Sequence, residues 1–241
     1  QMCFADSNQG KAAAVDYVNE AYKGQTIGVL YRSDDAYSKG IYEQFKANLA
    51  SDITLVEASF QTEAPTDLSS QISTLKDCKF VFLPIYYTPA ALFMTQAKGV
   101  IADDAVYYGC DGLDGIDSAE GFDINSIPQE VSMLSHFNSK ATDGKAKEFI
   151  DKYTTKYGTD TLNQFGASAY DCVYAIYEAL KAAGDKVNTG MSASEICTVL
   201  RGEFNGGFTF SGVTGSNITW NASGYVEKAA VRYIVKEATK K

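Results

Sequence analysis

The chain of 241 residues is 45% hydrophobic and 21% charged, a composition that supports a buried core in one or two domains and excludes a disordered chain. Its 21 basic and 30 acidic residues give a net charge of −9, which opposes binding to nucleic-acid phosphates and to anionic lipid. No apolar run approaches the roughly 18 residues that a membrane-spanning helix needs, so we expect neither a nucleic-acid partner nor a membrane span.

Four apolar segments with strand character alternate with helical segments in the first half of the chain. The strands are expected at 26–31, 53–60, 79–83 and 105–108. The helices are expected at 9–22, around Ile41, Phe45 and Leu49, at 67–75, and from Thr88 as N-cap with Pro89 in the first turn. This alternation predicts right-handed crossovers and hence a parallel, doubly wound sheet between two layers of helices.

The pattern changes after residue 111, and a lobe boundary is expected near residue 133. The expected elements beyond the irregular stretch 113–129 are a strand at 131–137, helices at 143–157, 163–183 and 192–201, and short strands at 218–220 and 230–235. We therefore predict an α/β fold with a three-layer lobe at 1–133 plus 227–241. Residues 134–226 are expected to form an incomplete second lobe of helices and short strands, because no strand separates its first two helices.

Aromatic and acidic residues follow the strands of the first half. Tyr37 comes after the first strand, Tyr86 and Tyr87 after the third, and Asp111 after the fourth, just past Gly109. In open parallel sheets ligands bind outside the carboxyl ends of the strands, so these side chains are expected to line one crevice. Tyrosine rings beside a carboxylate suit a small ligand that is partly apolar and carries an ammonium group.

Two further tyrosines, Tyr107 and Tyr108, end the fourth strand and are expected to join the same aromatic group. The alternative for each of these tyrosines is a structural role, in which the ring closes the edge of the sheet. For an anionic ligand group the only comparable candidate is Arg32, which stands alone. The residues therefore favour a cationic group on the ligand.

Motifs for cofactors and for catalysis are absent from the sequence. There is no GxGxxG after a strand and no GxxxxGK[ST], so no cofactor is predicted. The five cysteines lack the paired spacing of a zinc site, and Asp111, Asp114 and Asp117 lack the ligand spacing of an EF-hand, so no metal is predicted. The single histidine, His136 beside Phe137, favours a structural role over pairing with a serine or cysteine nucleophile.

Four segments, taken in order, resemble a known family. They are CFADSNQGKAAAVDYV at 3–18, TIGVLYRSDDAYSKG at 26–40, YDCVYAIYEALKAAG at 170–184 and GVTGSNITWNASGYVEKA at 212–229. Their order is similar to that of the type I periplasmic binding proteins of ABC transporters, specifically the branched-chain amino-acid group, from the middle of that family to its end. The resemblance covers essentially the whole chain.

This resemblance implies roles for four residues. Tyr37 matches the tyrosine of the first loop, Tyr86 the tyrosine that closes over the ligand, and Asp111 the acidic residue that takes the α-ammonium group. Phe165 falls where the family has an aromatic residue near the ligand side chain.

Two departures from the family pattern concern the identity of the ligand. Ser38 and Lys39 replace the glycine-containing turn that usually follows the first tyrosine, and Asp111 is shorter than the glutamate of some members.

The function that the resemblance implies is that of the substrate-binding component of an ABC transporter. Such a protein binds a small amino acid, branched-chain or similarly apolar, in a cleft between two lobes and delivers it to a membrane permease, outside the cell or in the periplasm. The family's first lobe has no counterpart in this chain, so a missing lobe or another copy of the chain is expected as a partner.

Two alternatives to a transport role remain open. One is a ligand-sensing domain of the same fold, and the other is an α/β enzyme acting at Asp111 with Tyr86 or His136.

Overall fold

A computed structural model describes residues 1–159, 161–228 and 230–239. These residues form two compact units. The first, here called the sheet unit, comprises Asp6–Ser135 and the described residues from Arg232 onward; the second, the helical unit, comprises Gln1–Ala5 and the described residues from His136 to Val231. The predicted domains, 1–133 plus 227–241 and 134–226, stay a prediction, because compactness alone does not show which segments fold together.

Helices and strands alternate through the first half of the chain, as the sequence predicts. In chain order the strands of the described residues are β1 (Thr26–Arg32), β2 (Thr54–Phe60), β3 (Phe80–Leu83), β4 (Val106–Gly109), β5 (Glu130–Ser135), β6 (Thr219–Trp220), β7 (Val226–Glu227) and β8 (Val231–Lys236). The helices are α1 (Asp6–Ala12), which continues through a π-helical segment (Ala13–Val18) into α2 (Asn19–Ala21), then α3 (Ala36–Asn48), α4 (Ser69–Leu75), α5 (Tyr87–Gln96), α6 (Gly144–Tyr157), α7 (Gln164–Ala183) and α8 (Ala193–Asn205).

A six-stranded sheet of order β2-β1-β3-β4-β5-β8 forms the centre of the sheet unit. Strand β1 pairs in parallel with both β2 and β3, β3 pairs with β4, and β4 with β5. The predicted parallel arrangement is therefore confirmed. The chain passes from β1 outward to β2 and then crosses to the other side of β1 to form β3, so the winding reverses between β1 and β3. Such a reversal leaves a crevice outside the carboxyl ends of the strands, where ligands bind in folds of this kind.

Tyr107 and Tyr108 lie inside β4, and the prediction that they join the aromatic group beyond the strands is wrong. Each is only 1% exposed. The Tyr107 ring packs edge-on against Phe93 of α5, and the Tyr108 ring lies near Phe80 and Phe82 of β3. Successive side chains of a strand point to opposite faces, and both faces of this central strand are covered. Both rings therefore belong to the core.

Helix α5 begins earlier than predicted. Its N-cap is Tyr86, in extended conformation, rather than Thr88, and Pro89 is the third residue of the helix. A proline fits anywhere in the first turn, because the N–H groups there have no partner within the helix. The side chain of Tyr86 consequently leaves the chain at the junction of β3 and α5 and is 45% exposed.

Helices α1 and α3 approach closely at Gly10. A Cβ atom built on Gly10 would lie 2.1 Å from the carbonyl oxygen of Ile41 and 2.8 Å from the amide nitrogen of Phe45. Both of these neighbours are backbone atoms, which cannot move aside without shifting α3. Only glycine therefore permits this packing, which also buries the preceding residue, Gln9.

The substitution Gly10→Ala is expected to lower the free energy of unfolding by about 1–3 kcal/mol, the usual cost of an overpacked contact. The matched control is Gly40→Ala within α3, where a Cβ atom meets no other atom within 4 Å. That control should raise the free energy of unfolding by about 0.5–1 kcal/mol, because alanine favours a helix more than glycine does. Chemical denaturation of both variants provides the measurement, and equal stability of the two would contradict the close approach of α1 and α3.

The helical unit is held together partly by a buried carboxylate. Asp171 of α7 is fully buried, and it accepts hydrogen bonds from the backbone N–H of Val213, at 2.9 Å, and of Thr214, at 2.8 Å. The Thr214 hydroxyl also donates to it at 2.7 Å. The turn at 213–214 is thereby fixed against the buried side of α7, which is otherwise made of small residues such as Ala167 and Ala175.

The opposite side of α7 is apolar and exposed. Val173 is 67% exposed, Ile176 46% and Tyr177 53%. In the described residues of this unit, the short strands β6 and β7 pair antiparallel. That α6 and α7 cover no sheet of their own stays a prediction. None of the helices in the described part of the chain is both long and apolar enough to cross a membrane.

Candidate functional site

Three of the predicted site residues come together beyond the carboxyl ends of β1, β3 and β4. Tyr37 lies in the first turn of α3, Tyr86 precedes α5, and Asp111 begins a 3₁₀ turn just after β4. The rings of Tyr37 and Tyr86 stack with centroids 4.9 Å apart and planes 20° apart. The Tyr37 hydroxyl donates a hydrogen bond of 2.6 Å to Oδ1 of Asp111. We call Gln9, Tyr37, Tyr86 and Asp111 the strand-exit cluster.

The start of α3 holds Tyr37 in place. Asp35 is the N-cap, and its side chain accepts a hydrogen bond of 2.8 Å from the N–H of Ser38. The Ser38 hydroxyl is buried and accepts a hydrogen bond of 2.7 Å from the N–H of Arg32 at the end of β1. Ser38 therefore ties helix α3 to strand β1. This junction is well supported although Ser38 and Lys39, rather than a glycine-containing turn, follow Tyr37.

Gln9 completes the cluster, although sequence reasoning did not identify it. Its side-chain amide Nε2 donates to Oδ1 of Asp111 at 2.7 Å, and its Oε1 accepts from the backbone N–H of Asp111 at 2.9 Å. The backbone N–H of Gly112 donates to the Tyr37 hydroxyl at 2.9 Å. A Cβ atom at Gly112 would lie 2.7 Å from that hydroxyl oxygen, so glycine is needed for this approach.

Gln9 and Tyr37 both donate hydrogen bonds to the Asp111 carboxylate. Burial raises the pKa of Tyr37 far above its usual value, and the nearby Cys110 and Asp111 raise it further. The hydroxyl therefore stays protonated and donates to Asp111 at all ordinary pH values. Burial is also the main cause that raises the pKa of the Cys110 thiol, which is fully buried, so this cysteine beside the cluster is a neutral core residue rather than a nucleophile.

A small pocket adjoins the cluster at Tyr86. It measures about 330 Å³ and is lined by Arg32, Phe60, Glu63, Ile85, Tyr86 and Pro89, among others. Burial raises the pKa of Tyr86 as well, followed by the effect of the nearby Asp35, so its hydroxyl is also neutral. The volume is at the lower end of the range for small-molecule sites.

The remaining predicted residues are one residue of the sheet unit and two of the helical unit. Tyr87 is the first residue of α5 and is 41% exposed, with its ring near Gly115. Phe165 belongs to the helical unit, in the first turn of α7, and is 49% exposed. His136 also belongs to the helical unit, where it is buried and its ring lies 3.7 Å from that of Phe4.

A second pocket lies within the helical unit, between α6, α7 and the segment 208–213. It measures about 920 Å³, and its lining includes Lys152, Tyr153, Tyr174 and Glu178. Several lysine and glutamate side chains line this pocket, whereas small-molecule sites are mostly apolar with few polar groups. The strand-exit cluster therefore stays the predicted site. Within the described residues, no group of three His, Cys, Asp or Glu side chains could hold a metal ion.

Comparison with protein families gives a match over almost the whole chain. The model of a family described as periplasmic binding protein matches residues 2–234. A search of curated proteins found no match.

Solved structures with the same fold belong to proteins that bind different types of ligand. A leucine binding protein from Thermotoga maritima matches with a TM-score of 0.76 and 22% identity over 99% of this chain and 65% of its own. A branched-chain amino acid transporter substrate binding protein from Streptococcus pneumoniae, in complex with isoleucine, matches with a TM-score of 0.66 and 26% identity over 96% of this chain and 66% of its own.

A third structure broadens the range of ligands. It is a solute binding protein of an ABC transporter from R. palustris in complex with benzoate, with a TM-score of 0.73 and 14% identity over 99% of this chain and 62% of its own. The chain therefore spans slightly less than two thirds of the length of these three relatives.

Proposed function

Because this chain belongs to the periplasmic binding protein family, we propose that it is part of the substrate-binding component of an ABC transporter and that its ligand is a small apolar amino acid. The observation that supports this ligand class is the Asp111 carboxylate, which accepts from Tyr37 and Gln9 beside the stacked Tyr37 and Tyr86 rings. A carboxylate in this setting binds an ammonium group by charge-assisted hydrogen bonds.

An aromatic acid such as benzoate is the competing ligand class, since one structural relative binds benzoate. Benzoate carries a negative charge and no ammonium group, so Asp111 would repel it rather than bind it. Like charges in a partly buried site disfavour each other strongly. The cluster therefore favours an amine ligand of the kind named for the leucine and isoleucine binding relatives.

The other half of the cleft is proposed to come from outside these 241 residues. The chain spans 65% of the length of the leucine-binding relative, and the exposed apolar side of α7 has the character of a surface that another lobe covers. We propose that a preceding lobe, or another copy of this chain, covers it and supplies groups for the ligand carboxylate. In this arrangement Tyr37, Tyr86, Tyr87, Asp111 and Phe165 contact the ligand.

From this proposal it follows that the protein delivers its ligand to a membrane permease, outside the cell or in the periplasm. It also follows that the protein has no catalytic role. The three structural relatives named above are described as a leucine binding protein, a substrate binding protein and a solute binding protein. A ligand-sensing domain of the same fold would use the same cluster without a permease.

A thermal-shift panel on the complete protein, with both halves of its cleft, tests the proposed ligand class. The panel contains the twenty amino acids, 4-methylpentanoate as the analogue of leucine without its amine, and benzoate. At a concentration of 100 times the dissociation constant, a ligand stabilises by about 2.7 kcal/mol, which should raise the melting temperature of a protein of this size by about 3 °C or more.

We expect at least one of leucine, isoleucine and valine to produce this shift, and 4-methylpentanoate and benzoate to produce none. Stabilisation by benzoate without stabilisation by any amino acid would instead support the aromatic-acid class.

A further inference from the structure

We propose that Gln9 is a positioning residue that sets the orientation of the Asp111 carboxylate and thereby makes the site selective for amines. This inference rests on the proposed function, and it adds a residue that does not itself need to touch the ligand. It also assigns a binding role to the first helix of the sheet unit.

The contact between Gln9 and Asp111 has two hydrogen bonds. One amide group donates to the carboxylate and also accepts from the backbone N–H of the same residue, at 2.7 and 2.9 Å. This pairing fixes both the side chain and the backbone of Asp111 against α1. The bond to the backbone N–H anchors the Gln9 amide, so that the other bond holds the carboxylate in a fixed position relative to the backbone of Asp111.

Gln9 is itself rigid. It is fully buried, and the following residue, Gly10, is held against the backbone of Ile41 and Phe45 in α3. The same helix α3 carries Tyr37, the second donor to Oδ1 of Asp111. The two donors to the carboxylate thus come from two helices in close contact, so their spacing is fixed by the packing of α1 on α3.

Restraint of a binding group before the ligand arrives lowers the entropy cost of binding. Buried glutamine is otherwise uncommon, because its amide must find partners for both its donor and acceptor atoms. Here both partners belong to one residue, Asp111. That match indicates that the amide orients the carboxylate, in addition to satisfying its own hydrogen bonds.

The test compares Gln9→Met with Gln129→Met in the complete protein. Methionine is close to glutamine in length and suits a helix, so Gln9→Met removes both hydrogen bonds with little change in packing. Gln129 is also a buried glutamine of the sheet unit, and its amide donates to the carbonyl groups of Ile101 and Ala102. It therefore controls for the loss of a buried amide away from Asp111.

Calorimetric titration with the best amino-acid ligand is expected to show about tenfold weaker binding for Gln9→Met, in the range for loss of a hydrogen bond to a charged group. Gln129→Met is expected to stay within about twofold of the wild type, even where its melting temperature falls as much. In an Asp111→Asn background, Gln9→Met should weaken binding by less than about threefold, because the charge that it orients is gone.

Equal affinity of Gln9→Met and wild type, or equal weakening by both methionine variants, would overturn the inference while leaving the proposed function intact. A crystal structure of ligand-free Gln9→Met shows the orientation of the Asp111 side chain without the need for a ligand. We expect the Asp111 carboxylate to occupy a different rotamer or several rotamers in it. An unchanged Asp111 rotamer would also overturn the positioning role. Failure of the wild type to bind any amino acid would overturn the proposed function, and with it the amine selectivity assigned to Gln9.

Discussion

Asp111→Asn is expected to weaken binding of the best amino-acid ligand by roughly 30-fold to several-thousand-fold. The reason is that the ligand's ammonium group would be buried without its charged partner, which typically costs 2–5 kcal/mol. Asparagine keeps the size of the side chain, and its carbonyl oxygen still accepts from the donors on Gln9 and Tyr37. The substitution therefore isolates the effect of the negative charge.

The matched control is Asp117→Asn, an exposed aspartate six residues further along the same loop. It changes the net charge of the protein by the same amount and should alter affinity by no more than about twofold, because exposed charges are well screened. Calorimetric titration of the complete protein gives both values. An affinity of Asp111→Asn within about threefold of the wild type would remove Asp111 from the binding site.

Tyr86→Phe provides a second comparison in the same cluster. It removes one hydroxyl but keeps the ring that stacks on Tyr37. Loss of a neutral hydrogen bond costs about 0.5–1.5 kcal/mol, or roughly two- to tenfold in affinity. We therefore expect the effect of Asp111→Asn to exceed that of Tyr86→Phe clearly, since only the former removes a charge.

The position of the cluster could be predicted from the sequence because the sheet is parallel. In a parallel sheet all strands end at the same edge, so residues such as Tyr37, Tyr86 and Asp111 meet once the strands have been identified. No knowledge of strand order was needed. The observed order, with β1 between β2 and β3, places the exits of β1 and β3 side by side and accounts for the stacking of their tyrosines.

Tyr107 and Tyr108 show where reasoning from strand ends fails. An error of one or two residues in the end of β4 decides whether these side chains lie in the core or beyond it. Apolar patterning does not locate the end, because a buried central strand accepts large residues on both faces. The glycine that follows, Gly109, is the last residue of the strand rather than the turn after it.

Gln9 could not be recognised from the sequence. It lies 102 residues from Asp111, and a glutamine near the start of a helix is most often exposed. The only local signal is its neighbour Gly10, which is unfavourable within a helix unless close packing requires it. That signal indicates a tight contact between helices but does not identify the residue that Gln9 binds.

The exposed apolar side of α7 leads to the second large expected effect. Val173, Tyr174, Ile176 and Tyr177 lie on one side of the helix and are each at least 45% exposed. Contiguous apolar surfaces of this kind rarely face water in a soluble monomer. We therefore expect the 241-residue chain, prepared alone, to self-associate and to bind a hydrophobic dye. A protein that includes the proposed other half should do neither, because that half would cover α7.

Charge introduced on this side should abolish the self-association. The double variant Val173→Lys/Ile176→Lys is expected to remain monomeric in light scattering and to bind far less dye, because burial of two lysines in an apolar interface is strongly unfavourable. Its control is Val15→Lys/Val100→Lys, which places the same charges at two exposed valines of the sheet unit, 50% and 49% exposed. That control should associate as the unmodified chain does.

If the unmodified chain were instead a monodisperse monomer that binds no dye, α7 would need no cover. The exposed apolar side would then no longer support a second half of the cleft.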